Sequence, residues 1–285
     1  MAEQNVNIGH RAITVRGCRM HYSEAASDAS EGTMILLHGS GPGASGWSNF
    51  KANLPVLGSR FRTIAVDMPG WGESDSAGPG GLDHASSLLD FMDALGIAQA
   101  ALVGNSMGAI TALIAASEHS DRVSHLVTMG TGSGPGPKLF SAGDGMSEGM
   151  KLLVQAYETP TPEAMKKLVT VMTYDSDRFG TDELAAERAN AAVKNPVHLR
   201  EYLERLRTGG PIGRWFDLEA LQSMTVPTLL IHGRDDRVMS YEHSLTLLGY
   251  IPDSRLLLIN RCGHWAQLEH VEEFNRAVVD FVSNR

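Results

Sequence analysis

A chain of 285 residues is long enough for one large α/β domain carrying an insertion. With 42% hydrophobic and 20% charged residues it has the make-up of an ordinary globular protein, and a net charge of −9 without any Lys/Arg cluster argues against nucleic-acid or anionic-membrane binding. The polar first ten residues lack the apolar core of a secretory signal and no apolar run could span a bilayer; a cytoplasmic protein with no membrane partner is expected, with Cys18 and Cys262 as free thiols.

Residues 13–22 alternate around Gly17 and read as a β-hairpin, and 24–32 as a surface turn. Residues 33–37 form a buried strand that runs into His38-Gly-Ser-Gly-Pro-Gly-Ala-Ser45. So many glycines can bring bare backbone N–H groups close to an oxyanion. Residues 47–57 read as a helix and 61–66 as a strand. Across 82–95, Leu88, Leu89, Phe91, Met92 and Leu95 recur with helical period.

A short apolar run, 100–103, then ends in Gly104-Asn-Ser-Met-Gly108 and is followed by a helix of small residues. This is the Gly-x-Ser-x-Gly nucleophile elbow, a tight turn that lifts the Ser106 hydroxyl clear of the sheet. A further strand, 123–129, completes a regular alternation of strand and helix, which means a mostly parallel central sheet flanked by helices. After the Gly/Pro-rich stretch 130–137 the rhythm breaks. Residues 150–157, 162–172, 181–193 and 196–206 read as helices, with 168–172 open to either helix or strand. The chain therefore divides into a core, 1–133 and 214–285, and a helical cap insertion, 134–213. Strands at 226–231 and 255–259 and a helix at 271–282 close the core.

A serine hydroxyl needs a base, and the base needs an orienting carboxylate. In an α/β-hydrolase the chain order is Ser, acid, His, with the last two on loops after late strands. Asp235 follows the strand 226–231, and His264 follows the strand 255–259. Asp236 is the competing carboxylate, unless it pairs with Arg234 or Arg237. His38 reads as a buttress of the oxyanion loop, His232 as the end of a buried strand, and His243 and His270 as helix or loop residues. Cys262-Gly-His264 has no second cluster at ligand spacing, so no metal is expected.

Leu37-His-Gly-Ser-Gly-Pro-Gly-Ala44, Trp47-Ser-Asn49, Gly104-Asn-Ser-Met-Gly108, Gly233-Arg-Asp-Asp-Arg237 and Cys262-Gly-His-Trp-Ala-Gln267 together resemble the meta-cleavage-product hydrolases of the α/β-hydrolase fold. The resemblance runs from about residue 20 to the C-terminus. It implies Ser106, Asp235 and His264 as the catalytic triad, with Asp235 preferred to Asp236 because the Gly-Arg-Asp pattern places the acid there. It further implies the Ser40 and Met107 amides as the oxyanion hole, and Gly41, Asn49, Asn105, Arg188 and Trp265 around the substrate. Arg188 matches the carboxylate-binding arginine, Ala109 stands where many relatives have a second Gly, and Ser40 replaces a frequent Gly.

The function implied is hydrolysis of a carbon–carbon bond in a 2-hydroxy-6-oxo-hexa-2,4-dienoate, a product of aromatic catabolism, without a cofactor and in a homo-oligomer. An esterase or lactonase using the same triad is the alternative. A binding protein on a degraded hydrolase scaffold is disfavoured because it needs no intact triad. Dehalogenase and epoxide hydrolase chemistries want Asp at the elbow. Leu139, Met146, Met150, Leu152, Leu153, Val171 and Met172 are open to a core or a substrate role.

Overall fold

The computed structural model describes residues 6–26, 30–76, 83–134, 139, 146–208 and 213–284. Strands β1 (Asn7–Val15) and β2 (Cys18–Ala26) make a hairpin, turned by Arg16 and Gly17 at positive φ. The apolar runs become β3 (Thr33–Leu37), β4 (Arg62–Val66), β5 (Ala100–Asn105), β6 (Val123–Met129), β7 (Thr228–Gly233) and β8 (Ser254–Ile259). The eight strands lie in the order β1-β2-β4-β3-β5-β6-β7-β8. Pairings among β3 to β8 are parallel, whereas β2 meets both β1 and β4 antiparallel.

Side chains alternate across this sheet and feed two apolar layers. Ile35, Leu37 and Leu102 face one layer, while Met34, Leu36 and Val103 face the other. The first layer is covered by α3 (His84–Ala94) and α4 (Met107–Glu118), through Leu88, Phe91 and Leu113. The second is covered by α1 (Gly46–Phe50), α2 (Leu54–Gly58) and α12 (Val271–Ser283), through Phe50, Leu54, Phe274 and Val278. Between β6 and β7 come α5 (Glu148–Glu158), α6 (Pro162–Met172), α7 (Ser176–Phe179), α8 (Asp182–Val193) and α9 (Pro196–Thr208), with no strand among the described residues. The remaining helices are α10 (Glu242–Tyr250) and α11 (Ala266–Glu269).

Three local expectations change. Residues 24–26 continue β2 instead of turning, because Glu24 is held by Arg11 and Arg62 while its backbone position pairs with Ile64. The single helix expected over 47–57 is two. Asn53 starts α2, and Pro55 falls in its first turn, where a missing N–H costs nothing. Residues 168–172 are helical, part of α6. The start of the helix expected at 82, the end of the loop expected at 130–137, and the residues flanking the insertion (140–145 and 209–212) lie outside the described residues.

Candidate active site

Ser106 stands between β5 and α4 at φ 53 and ψ −113. Holding a non-glycine residue there costs about 1–3 kcal/mol, a strain the surrounding packing must sustain. Two close approaches impose the turn. A Cβ at Gly104 would lie 2.4 Å from the Gly108 backbone, and one at Gly108 would lie 2.2 Å from the Leu37 carbonyl. Only bare backbone lets strand and helix come that near. The Ser106 N–H donates to the Met129 carbonyl at 2.8 Å, tying the elbow to β6.

The Met107 amide opens α4, where helical geometry leaves N–H groups without intrahelical acceptors. The other expected oxyanion donor, Ser40, is aimed indirectly. His38 Nδ1 lies 2.8 Å from the Gly39 carbonyl, and its Nε2 accepts the Met68 N–H at 3.0 Å. The ring is therefore the neutral Nδ1–H form, and burial pushes its pKa down. Because a trans peptide points its C=O and N–H in opposite directions, pinning the Gly39 oxygen fixes where the Ser40 N–H points. Tyr157 of α5 donates its hydroxyl to the Ser40 carbonyl and fixes the next peptide in the same way.

The expected base, His264, lies on the loop after β8. Its Nδ1 donates to Asp236 Oδ2 at 2.8 Å, leaving Nε2 as the basic nitrogen. Asp236 is completely buried. Its other oxygen accepts the Val238 and Met239 amides at 2.7 and 3.0 Å, and His232 Nε2 stands 3.3 Å from Oδ2. Burial alone would raise its pKa. The His264 charge and the hydrogen bonds from His232 and His264 outweigh burial, and the carboxyl titrates well below the usual range. Asp235, the acid expected from the sequence, does not reach the histidine. Its carboxylate lies 3.5 Å from Arg234, and its backbone N–H bonds the Cys262 carbonyl. The carboxylate that meets the imidazole is the next residue along.

The loops that carry His264 and Asp236 are also tied to the inserted helices. The His264 N–H donates to the Met172 carbonyl at 2.7 Å, and Arg237 donates to the Thr170 carbonyl, both at the end of α6. Glu269 accepts the Gly263 and Tyr174 amides, each at 2.7 Å, and so bridges loop and insertion a second time.

Ser106, Met107, Ser40, Gly41, Asn49, Asn105, Arg188, His264 and Trp265 all line one cavity. It lies between the loops at the carboxyl ends of the strands and the inserted helices. Arg188 comes from α8 and is only 4% exposed. Its guanidinium carbon lies 4.8 Å over the Trp265 ring, and among the described residues its Nε has no hydrogen-bond partner and no carboxylate forms an ion pair with it. Burial lowers its pKa to about 10, so the charge persists at neutral pH. A terminal nitrogen comes within 3.2 Å of where a Cβ on Gly41 would be. Asn49 spends its NH2 on the Ser45 carbonyl and Ser48 hydroxyl. Asn105 donates to the His264 carbonyl at 3.1 Å, so it ties the nucleophile strand to the base loop as well as facing the cavity.

The α/β-hydrolase fold model matches residues 32–271 of the chain. A 2-hydroxy-6-oxo-6-phenylhexa-2,4-dienoate hydrolase of Comamonas testosteroni is 39% identical over 93% of this chain and 92% of its own. A 2-hydroxy-6-oxononadienedioate/2-hydroxy-6-oxononatrienedioate hydrolase of the same organism is 38% identical over the full length of both. The chain belongs to the meta-cleavage-product hydrolase family. Its backbone follows that of the meta-cleavage product hydrolase from Pseudomonas fluorescens IP01 with a TM-score of 0.82 at 32% identity, covering 96% of this chain and 97% of that one.

Within that family's frame, sequence reasoning brought the right loops together but missed three contributors. Asp236 was weighed and set second. His232, read as the end of a strand, is the second imidazole against the acid, bonding Ser244 and the Met239 carbonyl as well. Tyr157 carries no motif at all. Of the apolar residues left open, Met150, Leu153 and Met172 reach the cavity, whereas Leu139 is 88% exposed and Val171 is buried away from it.

Proposed function

We propose that this enzyme hydrolyses the C5–C6 bond of 2-hydroxy-6-oxohexa-2,4-dienoates, working in the cytoplasm with the inserted helices as a cap over the reacting atoms. The two unpaired thiols support the cytoplasmic placement. The observation that carries the substrate class is Arg188. A buried guanidinium without a carboxylate partner is costly, and a planar anionic group entering the same cavity as Ser106 and His264 would meet it bidentately. With Trp265 over one face, the guanidinium edges are what remains to bind.

In this reading Arg188 holds the C1 carboxylate. His264 Nε2 takes the proton from the C2 hydroxyl and the proton returns at C5, so the dienol becomes a 2,6-dioxo acid. Water, directly or through Ser106, then adds to the C6 ketone as His264 accepts its proton. The Ser40 and Met107 amides receive the oxyanion. When C5–C6 breaks, its electron pair is delocalised through C3–C4 into the C2 oxygen. Protonation releases 2-hydroxypenta-2,4-dienoate, and C6 leaves as a carboxylic acid.

The test compares Arg188→Gln with wild type on an aryl dienoate and on a p-nitrophenyl ester. Truncating one half of a buried charge pair costs roughly 2–5 kcal/mol, so kcat/KM on the dienoate should fall by about 30-fold to several thousand-fold. The ester should lose little. Equal losses would give Arg188 a packing role. A wild-type enzyme idle on dienoates and fast on esters would make this an esterase.

A further inference from the structure

The names of the relatives divide between a phenyl and a carboxylate-bearing tail on the far side of the ketone. The cavity wall beyond Ser106 is mostly apolar, built from Ile110 and Ile114 of α4, Met150 and Leu153 of α5, and Val238 and Met239. Apart from Arg188, the cation among the described lining residues is Arg214. It is already engaged, with Nη1 at 2.5 and 2.7 Å from the two oxygens of Glu118 and Nη2 at 3.5 Å from Asp83. Its charge is already met by two carboxylates, so a tail carboxylate finds no unpaired partner in Arg214.

His84 breaks the apolar wall. It is the first residue of α3, fixed by Asp83, which accepts the Ser86 N–H at 3.1 Å. The ring rests against Trp71 at 5.5 Å and an interplanar angle of 61°. His84 is 5% exposed, and neither ring nitrogen has a hydrogen-bond partner among the described residues. Burial lowers its pKa to about 4, so at neutral pH it is uncharged, with one donor and one acceptor. Two unmet polar atoms in a buried ring are expensive unless something that enters the cavity meets them.

Resting on the dienoate reading above, we propose that His84 is a specificity-determining residue, selecting substrates whose distal tail is an uncharged aryl group bearing a hydroxyl or amino substituent. The apolar wall takes the ring, His84 takes the substituent, and Arg214, already held by Glu118 and Asp83, offers a tail carboxylate no counter-charge of its own. No group is transferred at His84. Its contribution is a single neutral hydrogen bond made on binding.

The experiment measures kcat/KM for 6-phenyl, the three 6-(hydroxyphenyl) and the 6-(2-carboxyethyl) dienoates with wild type, His84→Leu and His84→Gln. In wild type at least one hydroxyphenyl isomer should exceed phenyl by about tenfold, the worth of one hydrogen bond to a neutral partner, and the carboxyethyl compound should be slowest. His84→Leu should collapse the hydroxyphenyl-to-phenyl ratio to about one, and His84→Gln should restore part of it. A ratio is independent of how much folded enzyme each preparation holds. A wild-type ratio near one, a ratio that survives in His84→Leu, or a carboxyethyl substrate preferred over phenyl would overturn the proposal while leaving the dienoate reading intact. Failure of wild type on all five compounds would remove both.

Discussion

Asp236 is an acceptor on every side, and that is what makes it the partner of an imidazolium. Two backbone amides hold Oδ1 in place, so Oδ2 cannot swing away from His264 when the ring takes a proton. Asp236→Asn would put an amide NH2 against ring N–H groups and favour the wrong tautomer. The expected loss in kcat is about 10³–10⁴-fold, as for other triads. Asp235→Asn, at a partly exposed carboxylate beside Arg234 that does not touch the imidazole, should stay within about tenfold of wild type by the same reasoning. A steady-state comparison of the two variants decides which residue is the acid. The sequence could not have ordered them. Both follow β7 in a turn, both are Asp, and one residue of offset changes no hydrophobic pattern. What separates them is which carboxylate the turn rotates inward, a matter of backbone dihedrals and of the Val238 and Met239 amides.

At the scale of elements, the carboxylate clamp depends on how closely α8 lies on the loop after β3. Gly43 has φ +71, and a Cβ there would stand 2.4 Å from the Arg188 carbonyl. Gly43→Ala must push helix and loop apart, while Ser40 on the same loop stays pinned through His38 and Tyr157 and the triad sits on other loops. The expected result is at least a tenfold rise in KM for a dienoate, with kcat on a p-nitrophenyl ester little changed, read from paired steady-state assays. The glycine-rich stretch was visible in the sequence, and so was the start of α6, though 168–172 read equally as helix or strand. The contact between Gly43 and Arg188 was not, because nothing local relates two residues so far apart in the chain. The break between α1 and α2 escaped for the opposite reason: Trp47, Phe50, Leu54 and Leu57 keep helical spacing across it, and only Asn53 and Pro55 hint at a new start.

For the molecule as a whole, three buried neutral histidines set the response to acid. His38, His84 and His198 all have pKa values lowered by burial, to about 4 for His84 and about 3 for His198. In the unfolded chain each returns to about 6.5. Between about pH 6.5 and 4 the unfolded state therefore binds protons that the folded state refuses. Stability is complete above about pH 6.5 and falls as pH drops through that window, by about 2 kcal/mol for each of His84 and His198 on reaching pH 5. Asp236, with its depressed pKa, loses its contribution only below about pH 4, so the two effects separate. Thermal midpoints should fall steadily from pH 7 to 5, and His198→Phe, which keeps a ring against Trp71, should flatten the slope. An unchanged midpoint across that range would show these imidazoles to be charged in the fold.

The bond from the His264 amide to the end of α6 has a consequence for traffic. A lid hinged anywhere else could rise and leave the machinery below ready to react with whatever water came in. Here the roof and the base share a fastening, joined by Arg237 and by the two-handed grip of Glu269. To lift α6 is first to loosen the histidine. If α6 lifts, these bonds must break with it, so an opening on that side would disarm the base, and exchange and chemistry would take turns.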